Sequence, residues 1–271
     1  MDCWVDGQPA HAVSLKDRGL AYGDGLFETI AVRNGTPVLL DRHLVRLLEG
    51  CQRLAINLDG AVVRTELLAY ALALGEGVLK LIVTRGESAR GYAPDPVVAA
   101  RRIMLGNPPA IYPPAHAEQG VRLFPCVTRL SLQPLLAGLK HLNRLEQVIA
   151  RSEWQDVEHA EGLMLDQAGR VVEGVFSNLF LVRDGVLITA DLGRCGVAGV
   201  MRAELLFQTE SSAIPVQIID ITLEQLQWAD EVFVCNSVYG IWPVRAYAAL
   251  SWPVGPLTRK LQTIARALLD A

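Results

Sequence analysis

Gly106-Asn107-Pro108-Pro109-Ala110-Ile111-Tyr112-Pro113-Pro114 places four prolines in nine residues. Each proline removes a backbone donor and stiffens the chain, so the stretch reads as a linker. It divides the 271 residues into a smaller N-terminal α/β domain, 1–106, a proline-rich linker, 107–114, and a larger C-terminal α/β domain, 115–271. A chain of this length buries a substantial core.

The first part reads as strands followed by helix. Pro37-Val38-Leu39-Leu40 is a short apolar strand. Leu44, Leu47, Leu48, Cys51 and Leu54 follow helical spacing, with Asp41 as N-cap. Val78 to Thr84 is apolar and β-branched, hence a strand. In the second part, Leu163-Met164-Leu165 and Val171-Val172 flank a turn at Gly169. Val175 to Val182 is a further strand, and Val186 to Thr189 returns after Asp184-Gly185. Helices are expected at Leu142–Trp154, Met201–Gln208 and Leu257–Leu269. Strands and helices do not alternate strictly, which argues against a doubly wound parallel sheet. The class is mixed α/β with much antiparallel sheet.

Several function classes drop out. No apolar run nears the roughly 20 residues of a membrane helix. The opening Met1-Asp2-Cys3-Trp4 has no basic region followed by an apolar stretch, so no signal peptide is expected and a cytoplasmic location follows. A net charge of −4 without a basic run argues against a nucleic-acid partner. Cys3, Cys51, Cys126, Cys195 and Cys235 are far apart, with neither metal spacing nor a disulfide framework. No metal site is expected.

Three places carry candidate chemistry. Lys140 precedes a helical pattern in a chain with only four lysines (Lys16, Lys80, Lys140, Lys260), so lysine is not surface filler here. A lysine partly desolvated in a cleft has a lowered pKa and a nucleophilic amine. Glu173 lies in an apolar strand context, where a carboxylate needs a partner such as a protonated ring nitrogen. Gly196-Val197-Ala198-Gly199-Val200-Met201 leads into a helix, whose first N–H groups and dipole suit a phosphate. Arg46 supplies a guanidinium for the same anion. Each has an ordinary reading as well: a solvated lysine, an outward glutamate, a common turn, an arginine on a polar helix face.

Their order is more telling than any one of them. G-L-K-H-L-N-R-L-E-Q around Lys140, E-G-V-F-S-N-L-F from Glu173, the G-V-A-G-V-M-R turn and Tyr22-Gly23-Asp24-Gly25-Leu26-Phe27-Glu28-Thr29 occur in this sequence order. They resemble the signature blocks of fold type IV pyridoxal-phosphate enzymes, the D-amino-acid-aminotransferase-like or branched-chain-aminotransferase-like family, over nearly the whole chain. The run from Lys140 to Gln147, and Arg90-Gly91-Tyr92 after Thr84-Arg85-Gly86, resemble the lyase branch of that family.

The resemblance implies two α/β domains with pyridoxal 5'-phosphate in the cleft between them, and a homodimer. It implies that Lys140 is the Schiff-base lysine and that Glu173 holds the pyridine nitrogen. Arg46, Val200 and Met201 would hold the phosphate, with Asn236 and Ser237 of the Cys235-Asn236-Ser237 loop as a second contact. Arg90 and Tyr92 would meet the substrate. The implied activity is conversion of 4-amino-4-deoxychorismate to 4-aminobenzoate and pyruvate, a step of folate biosynthesis. A D-amino-acid or branched-chain aminotransferase is the alternative on the same fold. A non-catalytic binding protein is a third reading, against which the joint presence of Lys140 and Glu173 argues.

Overall fold

Leu79, Leu81 and Val83 alternate along one strand, and all three side chains are fully buried. That strand lies inside the first of two units into which the chain divides. The structure is a computed structural model that describes residues 3–95 and 97–270. The first unit comprises Met1–Ala110, Leu139–Asn143 and Leu269–Ala271; the second comprises Ile111–Gly138 and Arg144–Leu268. The sequence reading of Met1 and Asp2 lies outside the described residues.

The first unit runs β1 (Trp4–Val5), β2 (Gln8–Pro9), α1 (Arg18–Tyr22), β3 (Gly25–Arg33), β4 (Thr36–Pro37), α2 (Leu40–Arg53), α3 (Gly60–Leu74), β5 (Gly77–Thr84) and β6 (Arg101–Asn107). Its strands form an antiparallel sheet in the order β2-β1-β6-β5-β3-β4. Helix α2 buries His43, Leu44, Leu47, Gly50 and Cys51, a single face at helical spacing. Each fully buried leucine of that face contributes about 1.5–3 kcal/mol. Helix α3 starts at Asp59, whose carboxylate accepts from Ala61 N at 2.9 Å and Val62 N at 3.2 Å. The expected strand from Pro37 to Leu40 ends at Pro37, because Leu39 takes a φ of 53° and α2 begins at Leu40. Leu39 therefore occupies the cap position expected for Asp41, which lies in the first turn.

The sequence reading puts Lys140 in the C-terminal domain, but Leu139–Asn143 groups with the first unit. The reason is backbone pairing. Phe27 N donates to Lys140 O at 2.9 Å, and Leu142 N donates to Gly25 O at 3.0 Å. Leu26 and His141 form an antiparallel bridge. The segment thus occupies an edge of β3 that β4, paired at Val32 and Arg33, does not cover. Because Leu142 is held in this way, the helix expected from Leu142 begins at Leu145.

The second unit runs α4 (Pro114–Glu118), β7 (Val121–Leu130), α5 (Leu145–Ser152), β8 (His159–Asp166), β9 (Val171–Gly174), β10 (Asn178–Arg183), β11 (Val186–Ala190), α6 (Val200–Ser211), β12 (Val216–Ile219), α7 (Leu223–Gln227), β13 (Glu231–Asn236), β14 (Gly240–Tyr247), β15 (Leu250–Ser251) and α8 (Pro256–Leu269). Its sheet follows the order β12-β11-β10-β13-β14-β7-β8-β9, with β15 on β14. Strand β9 also pairs with β10 at Glu173 and Asn178, so the strands from β10 round to β9 close on themselves. Leu123, Leu163, Leu179 and Val234 fill the core beneath this sheet. The strand expected from Val175 begins at Asn178; residues 175–177 form a turn.

Candidate active site

In the first unit, Lys140 is half-buried, with its Nζ 4.3 Å from the centre of the Phe27 ring. The ring face attracts the protonated amine. Lys80 Nζ lies 5.3 Å from the same ring. Next along β3, Glu28 is buried and binds two residues of α2. His43 Nδ1 lies 2.6 Å from Glu28 Oε2. Arg46 Nε donates to Glu28 Oε1 at 2.8 Å, and Arg46 Nη2 donates to Glu28 Oε2. Burial alone would push the Glu28 carboxyl up, but the Arg46 charge and the His43 contact overcome it and hold it at about 2. Burial pushes the His43 pKa down more than Glu28 restores it, with Arg46 and Lys140 adding to the depression. A neutral imidazole donating from Nδ1 fits these contacts and leaves His43 Nε2 buried without a partner among the described residues.

Arg46 therefore does not lie on a solvated helix face: its side chain is 12% exposed and fixed by a buried carboxylate. Sequence reasoning missed Glu28 and His43. The signal was available for Glu28, a glutamate inside an apolar strand like Glu173, in a block that had already been singled out.

Arg90 and Tyr92 are exposed. Their loop is fastened from beneath by the buried Arg18. Arg18 Nη1 donates to Ser88 Oγ at 2.9 Å and Gly91 O at 3.0 Å, and Nη2 donates to Tyr92 O at 2.9 Å. Asp24 orients Arg18 and Arg85, accepting from their Nε atoms at 2.8 and 2.7 Å. Burial pushes the Asp24 carboxyl up, but Arg85 and Arg18 together leave it below the usual range. The Tyr22 and Tyr92 rings lie 5.3 Å apart.

In the second unit, Glu173 is buried on β9, and its Oε2 accepts from Val197 N at 2.8 Å. Asn178 joins the same turn from across the strand pair. Its Nδ2 donates to Val197 O at 2.9 Å, and its Oδ1 accepts from Gly199 N at 3.0 Å. Position 199 has to be glycine, since a Cβ there would meet Asn178 Oδ1 at 2.0 Å. Gly199 caps α6 with no side-chain hydrogen bond, so the helix that opens at Val200 and Met201 has no capping side chain at its N-cap position. Arg202 turns away from this end, Nη2 donating to Ala190 O at 3.0 Å. At the end of β13, Asn236 Oδ1 accepts from Val238 N at 2.9 Å and Tyr239 N at 3.0 Å, building the tight return to β14. Ser237 is half-buried in that return. Asn178 is the residue missed here; it lies in the quoted E-G-V-F-S-N-L-F run.

Within the first unit, the Lys140 amine suits an aldehyde and the fixed Arg46 guanidinium suits an anion. Within the second, the buried Glu173 carboxylate suits a protonated ring nitrogen, and the N-terminus of α6 suits a phosphate. Among the described residues no group of His, Cys, Asp or Glu is arranged to hold a metal ion. None of the described helices is long and apolar enough to cross a membrane.

The model of the amino-transferase class IV family matches residues 25–247. The chain is 39% identical over 268 residues to an aminodeoxychorismate lyase of Vibrio harveyi, covering 96% of this chain and 97% of that protein. It is 28% identical over 263 residues to a D-alanine aminotransferase of Bacillus licheniformis, covering 93% and 90% of the two chains. The crystal structure of 4-amino-4-deoxychorismate lyase from Pseudomonas aeruginosa superposes with a TM-score of 0.98 at 65% identity, covering 99% of this chain and 100% of that one. The chain belongs to the amino-transferase class IV family, whose members use pyridoxal 5'-phosphate.

Proposed function

We propose that this protein is a pyridoxal-phosphate-dependent lyase that converts 4-amino-4-deoxychorismate to 4-aminobenzoate and pyruvate. The observation that carries the reading is the 65% identity, over 99% of this chain, to a solved lyase of that name. The cofactor, when bound, supplies an aldehyde for the substrate amine and an electron-withdrawing ring.

The residues divide the remaining work. Lys140 would hold the cofactor's aldehyde carbon, and its amine, when free, would take the proton from the amine-bearing ring carbon of the substrate. Glu173 would hold a proton on the ring nitrogen, which sustains electron withdrawal. In the second unit the N–H groups of Val200 and Met201 and the Asn236-Ser237 return would hold the phosphate, and in the first unit Arg46 would offer a guanidinium to an anion. Arg90 and Tyr92 meet the substrate's carboxylate-bearing side. The C–O bond to the ring breaks as the ring becomes aromatic, and the departing enolpyruvate takes up a proton at its methylene carbon to give pyruvate, so positioning and proton transfer suffice for the step.

The protein acts as a homodimer in the cytoplasm. Support for the dimer is an apolar fraction of 51% and the outward face of α5, where Leu145, Val148 and Ile149 are 74%, 61% and 55% exposed. The deciding experiment supplies chorismate, an amino donor and an aminodeoxychorismate synthase, then follows 4-aminobenzoate with and without this protein. Purified holoenzyme is expected to be yellow and to release it. A colourless protein that leaves the intermediate unchanged overturns the reading.

A further inference from the structure

Glu161 has no part in the chemistry just described, yet its carboxylate is fully buried on β8. Its Oε1 accepts from Gly162 N at 2.8 Å and Val175 N at 3.0 Å. Its Oε2 accepts from Ser177 Oγ at 2.7 Å and Phe176 N at 3.3 Å. Three of these donors belong to the turn joining β9 to β10. The turn is closed further by Gly174 N, which donates to Ser177 O at 2.7 Å. Space is tight on this side: a Cβ at Gly174 would meet Ser177 Oγ at 2.3 Å and the Glu161 carboxyl carbon at 2.8 Å.

We propose that Glu161 is a positioning residue for the cofactor: by tying down the 175–177 turn it fixes Glu173 and Asn178, which flank that turn. The sequence of contacts is short. Glu173 and Asn178 are paired across β9 and β10 at the point where the sheet closes on itself. Both bond to the 196–199 turn, at Val197 and Gly199, and that turn delivers the N-terminus of α6. Residues 175–177 lie outside the strand ladder, and two of their backbone N–H groups donate to this one side chain. A carboxylate with two oxygens serves all the donors of the turn at once, where a smaller polar residue would leave some unsatisfied. The turn's shape therefore depends on Glu161, and the placement of ring-facing and phosphate-facing groups depends on the turn.

This inference rests on the reading that Glu173 faces the ring nitrogen of the cofactor, and the test separates the two. Apo-protein is titrated with pyridoxal 5'-phosphate, and the absorption band of the bound cofactor is recorded for parent, Glu173→Gln and Glu161→Ala. Glu161→Ala is expected to weaken cofactor affinity about 10- to 100-fold, the usual loss when support behind a ligand-holding residue is removed. Its band should shift toward that of Glu173→Gln. At saturating cofactor, kcat should fall at least ~10-fold with KM changed less than ~3-fold. Glu161→Gln keeps an acceptor oxygen for Gly162 N and Val175 N and a donor for Ser177 but turns its amide N–H2 on Phe176 N, so it should fall between the parent and Glu161→Ala. A parent-like affinity, band and kcat in Glu161→Ala overturns the proposal. An unshifted band in Glu173→Gln removes instead the reading beneath it. If Glu161→Ala does not fold, Gly174→Ala displaces the turn with Glu161 intact: the same weakened affinity and shifted band support the proposal, and parent-like values overturn it.

Discussion

Arg46 meets Glu28 side-on, its Nε 2.8 Å from Glu28 Oε1 and its Nη2 against Oε2, which sets the plane of the guanidinium. An arginine oriented in advance loses little freedom on gripping a phosphate. Arg46→Ala is therefore expected to act twice. It leaves a buried carboxylate with His43 as its remaining partner among the described residues, which costs about 3–5 kcal/mol of stability. It also weakens cofactor binding about 10-fold or more while the band of the bound cofactor stays in place. Thermal melts of apo-protein and a cofactor titration separate the two effects. A large drop in melting temperature with unchanged affinity would confine Arg46 to the fold.

How much of this was legible beforehand depends on how local the cause is. Val78 to Thr84 is recognisable as strand because its β-branched residues carry the signal themselves. The turn at 196–199 and the helix after it are also local, a glycine-bearing segment followed by helical spacing. Val175 to Ser177 looks like strand by the same criteria, yet two of its N–H groups go to Glu161, fourteen or more residues earlier. The attachment of Lys140 to Gly25–Phe27 is equally remote in sequence. Strand β6 escaped notice because Arg101 and Arg102 open it; Arg102 is matched by Glu66 and Arg101 by Glu87, partners that periodicity cannot reveal. Lys140, Glu173 and the α6 turn are candidates marked by the order of blocks. Glu28, His43 and Asn178, which hold the neighbours of those residues in place, have no signature apart from their contacts.

Glu161 and Glu28 give opposite pH dependences. Burial pushes the Glu161 carboxyl from 4.5 up to about 7, despite four hydrogen bonds that favour its charged form. Between those two values the native state holds a proton that the unfolded state has released, so stability falls as pH rises, and it levels off above about 7. The loss is on the order of 3 kcal/mol across the window. Glu28 is held down at about 2, so its contribution is present above 4.5 and is lost as pH falls from there toward 2. Tyr112, Tyr239 and Cys126, which face Glu161, are themselves pushed up, Cys126 to about 12, and do not titrate in its window. Urea unfolding of parent and Glu161→Gln at half-unit steps from pH 4 to pH 8 should show the difference between them changing by this amount. A difference that stays flat would mean that Glu161 remains charged throughout.

Lys140 has a built-in competitor. Lys80 projects onto the same Phe27 ring, 5.3 Å from its centre against 4.3 Å for Lys140. Borohydride reduction of holoenzyme followed by peptide mapping is expected to place the pyridoxyl group on Lys140. Lys140→Ala should lose the reducible adduct, and Lys80→Ala should retain it. A label on Lys80, Lys16 or Lys260 would assign the amine chemistry to another residue.

The last prediction concerns reaction type. The similarity to both a lyase and a D-alanine aminotransferase shows that one family supports both activities, so the cofactor-holding residues cannot separate them. In the proposed function Lys140 removes a proton from the carbon that bears the amine, a step that both reactions share. They diverge in what is held beside it. An aminotransferase must clamp a simple amino-acid carboxylate and return the proton to the cofactor. The lyase must hold a larger ring with two carboxylates and leave its enolpyruvyl group free to depart. The proposed substrate loop is fastened through its backbone: Arg18 binds the Gly91 and Tyr92 carbonyls and Ser88, so the Arg90 and Tyr92 side chains extend from an anchored segment. Arg90→Ala is expected to lower lyase kcat/KM by roughly one to three powers of ten, the loss of a charged hydrogen bond to a carboxylate, with cofactor affinity unchanged. The assay compares pyruvate release from 4-amino-4-deoxychorismate with amino transfer from D-alanine and from L-leucine on one preparation. Lyase turnover should exceed both. If either amino acid is turned over faster, the protein is an aminotransferase, and the anchored loop selects an amino-acid carboxylate instead.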